Sequence, residues 1–223
     1  MRHEGQTVDR TTAFNMAQTI VGDANARVSE KNPLVSGKVE YAGRPLRVQV
    51  AVPPAIEQGA SITIRLFATA GVQGYKPSFL FGKAVSLDQL RAEKMKDIAS
   101  QAEENLDAAL EALVYQRLNV LISGGTSTGK TTFARHLLTH VDDGERLITI
   151  EDAFELFPIQ PNTVALLASR GTGSQRSSHA LLQASLRMRP DRIIVGELRG
   201  DEALTVAVGC SWMMVTRGKS IGH

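Results

Sequence analysis

Residues 118–132 read LNVLISGGTSTGKTT, and the order of their parts decides the fold. An apolar run, Val120, Leu121 and Ile122, feeds directly into Gly124-x-x-x-x-Gly129-Lys130-Thr131, and Phe133, Leu137 and Leu138 follow at helical spacing. Strand, glycine-rich loop and helix in that order form a phosphate-binding loop. The glycines permit turn conformations closed to other residues, so that successive N–H groups point inward toward an anion. The start of the following helix adds partial positive charge. The expected nucleotide contacts are therefore Gly124, Gly125, Thr126, Ser127, Thr128, Gly129, Lys130, Thr131 and Thr132. Lys130 is placed to reach the β- and γ-phosphates and the Thr131 hydroxyl to hold Mg²⁺.

Downstream of this loop, apolar runs recur at 147–150, 163–167 and 193–195, with helical spacing between most of them, notably at 179–188. Such alternation predicts an α/β fold with a mainly parallel sheet, whose ligands bind beyond the carboxyl ends of the strands. Glu151 and Asp152 stand just past one strand end, and Gly196, Glu197 and Arg199 past another. Phosphoryl transfer to water needs the γ-phosphate neutralised, a metal held and a water aligned. Lys130, Glu151 and Glu197 are the expected catalytic residues, and Thr131, Glu151 and Glu197 the expected metal-holding ones. Asp152 and Glu155 read equally well as helix-capping carboxylates.

Upstream, residues 13–29 carry apolar positions suited to a helix packed on one face, interrupted at Gly22 and Asp23. The segments LRVQVAV from Leu46 and SITIRLF from Ser61 alternate with period two, each placing one arginine, Arg47 or Arg65, on its polar face. By themselves these are two solvated edge charges. Gly71, Gly74, Pro77 and Gly82 mark a linker over 68–85. Ser86 and Gln89 then form a capping box at a helix start, and a second helix follows with Leu106, Ala109, Leu110, Leu113 and Val114 on one face.

The 223 residues are 43% hydrophobic and 22% charged, with a formal net charge of +2, which describes a folded chain and excludes disorder. That charge gives little support for nucleic-acid binding as the primary role. Apolar runs fall far short of the roughly 20 residues that span a bilayer. The single cysteine, Cys210, makes no internal disulfide, and a reducing, cytoplasmic setting is expected.

Three ordered segments carry a family resemblance: GGTSTGKTT at 124–132, ERLITIEDAFEL at 145–156 and LLQASLRMRPDRIIVGELRGDEA at 181–203. Together they resemble the type II/type IV secretion ATPases, and most of all the conjugal DNA-transfer branch. The second is similar to that family's acidic "Asp box", the third to its atypical Walker B segment, with Gly196 where many such enzymes carry aspartate. The resemblance implies a RecA-like P-loop core over 86–223, a small α+β amino-terminal domain over 1–70 and a linker over 71–85. It implies ATP and Mg²⁺ as cofactors, a homo-hexameric ring and inner-membrane secretion components as partners. Peripheral membrane association is compatible with it, and no direct specific nucleic-acid binding is implied. It also implies that Arg47 and Arg65 fold over the nucleotide and touch its phosphates. Arg187 and Arg189 are open between nucleotide, a neighbouring subunit and a structural ion pair.

After the Walker B segment the family continues with a glycine-rich strand bearing a histidine, whereas this chain reads DEALTVAVGCSWMMVTRGKSIGH. No histidine falls in that context, and Trp212, Met213 and Met214 have no evident sheet element. The expectation is therefore a truncated core with an unpaired sheet edge beside the nucleotide, able to bind ATP and impaired in hydrolysis and ring assembly. The competing readings are a non-catalytic nucleotide-binding module and a pilus-assembly or type II secretion motor.

Overall fold

The computed structural model describes residues 7–67, 86–169, 174–197 and, by backbone alone, 211–217. The chain divides into two units, Met1–Phe67 with Asn119–His223, and Ala68–Leu118. The expected linker at 68–85 lies outside the described residues.

In the first unit, α1 (Arg10–Gly22) opens on Asp9, whose carboxylate accepts the Thr12 N–H at 3.0 Å and is held below the usual carboxylate range by its bonds to Thr12. It packs Ala17 and Val21 onto an antiparallel sheet of β1 (Leu34–Tyr41), β2 (Arg44–Ala51) and β3 (Ser61–Leu66), in that order. β2 and β3 are the two alternating runs. β1 escapes the pattern because Ser36, Gly37 and Lys38 interrupt its apolar positions. The β1–β2 hairpin turns through Ala42 and Gly43, both at positive φ (50° and 71°), the geometry of a two-residue turn whose twist matches the strands.

Gly37 sits where a Cβ would come within 2.6 Å of the Ala24 Cβ just beyond α1. Gly37→Ala is expected to cost about 1–3 kcal/mol by overpacking, read as a lowered urea midpoint at unchanged slope. A midpoint equal to the parent's would show that helix and sheet separate freely there.

The larger sheet is parallel: β4 (Val120–Gly124), β5 (Leu147–Glu151), β6 (Thr163–Leu167), β7 (Arg192–Val195) and β8 (Ser211–Arg217), in spatial order β4-β8-β7-β5-β6. Helices α4 (Lys130–Thr139) and α5 (Ser178–Ser185) follow β4 and β6 in the chain. Every residue of β5 and β7 is buried, as expected of strands covered on both faces. Their core of Ile148, Ile150, Ile193 and Val195 with Leu181, Leu182 and Met188 extends to Ala51, Ala55 and Ile56, so the amino-terminal sheet and the parallel sheet share one apolar interior.

Trp212, Met213 and Met214, expected to have no sheet element, belong to β8, while β4 stands at an edge of the sheet among the described residues. Residues 211–217 lie between β4 and β7, with Met213 opposite Val120 and Ile194, and Arg217 opposite Gly124. Residues 212–216, WMMVT, are the kind of apolar and β-branched run a parallel strand carries, and which strands they pair with is decided across the sheet.

At the amino edge of the sheet, Arg146 donates to the Met188 carbonyl (2.9 Å), Asn162 Oδ1 (2.6 Å) and Thr63 Oγ1 (3.4 Å), and its backbone N–H goes to Asp191 (2.8 Å). Burial pushes this guanidinium below its ordinary pKa, with Asp191 opposing the shift. Beside it Arg192 makes a two-pronged contact with Glu145, at 2.8 and 2.9 Å.

The second unit holds α2 (Leu87–Glu104) and α3 (Leu106–Tyr115). The capping box forms as read, with Ser86 Oγ accepting from Asp88 N (3.2 Å) and Gln89 Oε1 from Ser86 N (3.3 Å). The two helices part at Asn105, which leaves helical geometry (φ −151°) and whose side chain caps α3 through the Ala108 N–H at 3.1 Å.

Candidate functional site

β4 delivers the chain into the loop at 124–129, whose path depends on left-handed backbone at Ser127 (φ 60°) and Gly129 (φ 83°). Gly129 is the N-cap of α4 and offers no side-chain acceptor, so the helix start keeps N–H groups for an external anion. At Gly124 any Cβ would approach Thr128 Oγ1 to 2.8 Å. That hydroxyl donates to the Gly125 carbonyl at 3.0 Å, and Lys130 Nζ donates to the same oxygen. Thr126, Ser127, Thr128 and Thr132 are exposed, and Lys130 and Thr131 are half-buried at the first turn of the helix.

The carboxylates gather at the neighbouring strand ends. β5 and β7 are paired through Ile150 and Val195, and the Gly196 N–H continues the ladder to the Ile150 carbonyl at 2.8 Å, which sets Glu151 and Glu197 at adjacent strand ends. Glu151 is buried, 4% exposed, and its Oε2 accepts the N–H groups of Glu155 (2.8 Å) and Leu156 (3.0 Å). It thereby fixes the turn after β5. A Cβ on Gly196 would lie 3.4 Å from the Glu151 Cγ, so a glycine here leaves room for that buried carboxylate. Glu197 is half-buried.

Sequence reading left Glu155 open between a helix cap and the site. Its exposed carboxylate accepts the Thr131 hydroxyl at 3.3 Å, and so stands beside the residue expected to hold the metal. The spacing Glu151-x-x-x-Glu155 carried the signal, but only the turn held by Glu151 aims the second carboxylate at the loop.

Arg47 and Arg65 are brought together, as facing partners on β2 and β3. They do not hydrogen-bond to the loop among the described residues. Instead they line a cavity of about 650 Å³ with Thr63, Arg187 and Arg189, and the Arg47 guanidinium lies 5.7 Å from the Phe67 ring centre. Among the described residues no helix is long and apolar enough to cross a membrane.

Residues 74–212 match the profile of the family described as Type II/IV secretion system protein. The chain is 39% identical over 189 residues to Protein VirB11 of Rhizobium radiobacter, a match covering 79% of this chain and 53% of that protein. It is 31% identical over 197 residues to the conjugal transfer protein TrbB of the same organism, covering 85% and 53%. Its structure superposes on the VirB11 ATPase of the Brucella suis type IV secretion system, solved with sulphate, at a TM-score of 0.72 and 25% identity over 96% of this chain and 66% of that one. The chain thus spans about half the length of the curated relatives it matches. With a phosphate loop, an acidic strand end beside it and a family match over 74–212, the chain belongs to the type II/IV secretion system protein family.

Proposed function

We propose that this chain binds and hydrolyses ATP as a motor subunit of a type IV secretion or conjugal DNA-transfer apparatus. The observation that carries the reading is the convergence of an uncapped, glycine-shaped helix start with the Thr131–Glu155 contact and the Glu151 and Glu197 strand ends. ATP fits this loop because its inward backbone and Lys130 match a polyphosphate, and Mg²⁺ fits because the nearby donors are all hard oxygens. When bound, Mg²⁺ would supply charge neutralisation at the triphosphate. Lys130 exchanges the Gly125 carbonyl for phosphate oxygens. Thr131 and Glu155 would hold the metal, with the second carboxylate oxygen of Glu151, which also keeps the turn in place, and Glu197 would orient the attacking water. Arg47 and Arg65 are phosphate contacts of the amino-terminal sheet.

A hexameric ring, inner-membrane secretion components as partners, a cytoplasmic location with peripheral attachment to the inner membrane, and no specific nucleic-acid contact complete the proposal. The names of the VirB11 and TrbB relatives support the type IV and conjugation branch over a pilus motor.

The test is binding and turnover of MgATP by the purified chain and by Lys130→Ala. Removing one charged donor is expected to lower turnover by about 10²–10³-fold and to weaken binding. A folded parent chain that holds no nucleotide would sink the proposal. One that binds nucleotide through Lys130 without turnover would replace it by the non-catalytic module.

A further inference from the structure

Helix α4 carries the phosphate loop at one end and two histidines at the other. His136 and His140 are four residues apart, so they stand one above the other on a single helix face. The opposite face, Ala134, Leu137 and Leu138, is buried, which fixes the helix and turns the histidines outward. His136 is exposed and His140 half-buried. The two rings meet edge to face with centroids 5.0 Å apart, and a ring nitrogen of each lies within 4.8 Å of one on the other.

The backbone around the pair is held from several sides. Gln160, 3% exposed, donates from Nε2 to the Leu138 carbonyl (2.8 Å) and the Val141 carbonyl (3.0 Å), so the turn at His140 is pinned from the segment before β6. The Thr139 hydroxyl donates to the His136 carbonyl at 2.7 Å, and the His140 N–H to the Leu137 carbonyl at 3.2 Å. His140 is therefore fixed by its backbone and its partial burial, while His136 lies on the exposed side, where its ring can turn. Two nitrogens bound to one ion at about 2.0–2.1 Å each sit at most about 4 Å apart, so rotation of the His136 ring brings the pair to chelating distance.

The surroundings favour a cation. The last carbonyls of α4 form the negative end of the helix dipole. Asp142 and Asp143 follow directly, both exposed, and the Asp142 carboxylate accepts the Gly144 N–H at 2.7 Å. The donors select the ion: imidazole nitrogen suits zinc, nickel and copper, whereas magnesium takes hard oxygens. The pair thus differs in chemistry from the oxygen donors beside the loop. It also stands apart from them, because ten residues of helix at about 1.5 Å each put His140 roughly 15 Å from Lys130.

We propose that His136 and His140 form a chelating site for a divalent metal ion of the zinc or nickel class at the carboxyl end of α4. The two imidazoles fill two positions of the ion and water the others, which keeps it exchangeable. Both ligands belong to one turn, so the ion binds only while that turn is helical. It thereby fastens the end of the helix whose beginning forms the phosphate loop. The site is independent of whether the loop hydrolyses ATP.

The experiment titrates the full, metal-stripped chain with zinc chloride, and separately with nickel chloride, against a chromophoric indicator, and follows amide hydrogen exchange at 138–141. One ion per chain is expected, with affinity lowered about 10–100-fold by His136→Ala or His140→Ala and unchanged by an excess of magnesium. At a zinc concentration about ten times the dissociation constant, exchange at 138–141 is expected to slow about tenfold. His136 is exposed, so a His136→Ala chain of native circular dichroism distinguishes lost ligation from lost folding. Lys130→Ala, which disables the loop, is expected to bind zinc like the parent. Absence of zinc and nickel binding in the folded parent overturns the proposal, as does binding that survives the double change His136→Ala with His140→Ala. Binding that leaves exchange at 138–141 unaltered, or that Lys130→Ala abolishes, places the ion elsewhere and overturns it as well. Loss of ATP binding or turnover in the parent chain, by contrast, overturns the motor reading and leaves this site untouched.

Discussion

Replacing Glu197 by glutamine is expected to lower ATP turnover by about 10²–10⁴-fold while leaving MgATP affinity within a few-fold of the parent. Glutamine keeps the size and one acceptor oxygen of the side chain, so the strand end and the loop keep their shape. What it removes is the negative charge that draws a proton from the attacking water. Glu197 stands half-buried directly past the end of β7, beside Glu151 at the carboxyl edge of the sheet, which is where a base for the attacking water is needed. Single-turnover measurement with saturating MgATP, alongside equilibrium binding of a fluorescent analogue, separates the two effects. Turnover within about threefold of the parent would move the general-base role away from Glu197, and a parallel collapse of affinity would make Glu197 a binding residue instead.

The largest stability effect is expected at Glu145, not at the loop. The Glu145 and Arg192 side chains are only 13% and 9% exposed and meet through two short contacts at the amino edge of β7. Glu145→Ala leaves a buried guanidinium without its carboxylate, at a cost of about 3–5 kcal/mol. The double change Glu145→Leu with Arg192→Met removes both charges together and is expected to restore most of the loss, because desolvating an ion pair offsets much of its attraction. Urea unfolding of the three variants tests this. A loss below about 1 kcal/mol in the single variant would mean that the pair behaves as an exposed one. The pair lies away from Lys130 and Thr131, so nucleotide binding by the folded single variant serves as an internal control.

Much of the site was legible because its requirements are local. A loop that wraps phosphate with backbone N–H groups must have glycine where φ is positive or a Cβ would collide, and Gly129 and Gly124 meet those two conditions within six residues of each other. Glu151 and Glu197 were legible for a related reason: an acidic residue directly after a buried apolar run stands at a strand end, and parallel sheets collect strand ends on one edge. The capping box at Ser86 is equally local. The boundary at Asn105 was not placed, because an asparagine serves a helix interior or an N-cap according to whether its side chain takes a nearby backbone N–H, here that of Ala108.

The sequence by itself determined that this chain carries a phosphate loop on a parallel α/β core, which acidic residues stand at its strand ends, and which family it resembles. The tertiary structure alone decided three things. It inserted residues 211–217 between β4 and β7, a choice of neighbour that depends on pairing across the sheet and leaves no mark in the strand's own composition. It selected Glu155 for Thr131, because the turn that aims it is anchored by a buried side chain four residues earlier. And it gathered Arg47 and Arg65 with Arg187 and Arg189 around one cavity. Side chains more than 120 positions apart are joined only by how two sheets pack, and the apolar burial that drives such packing carries no record of which charges it will bring together.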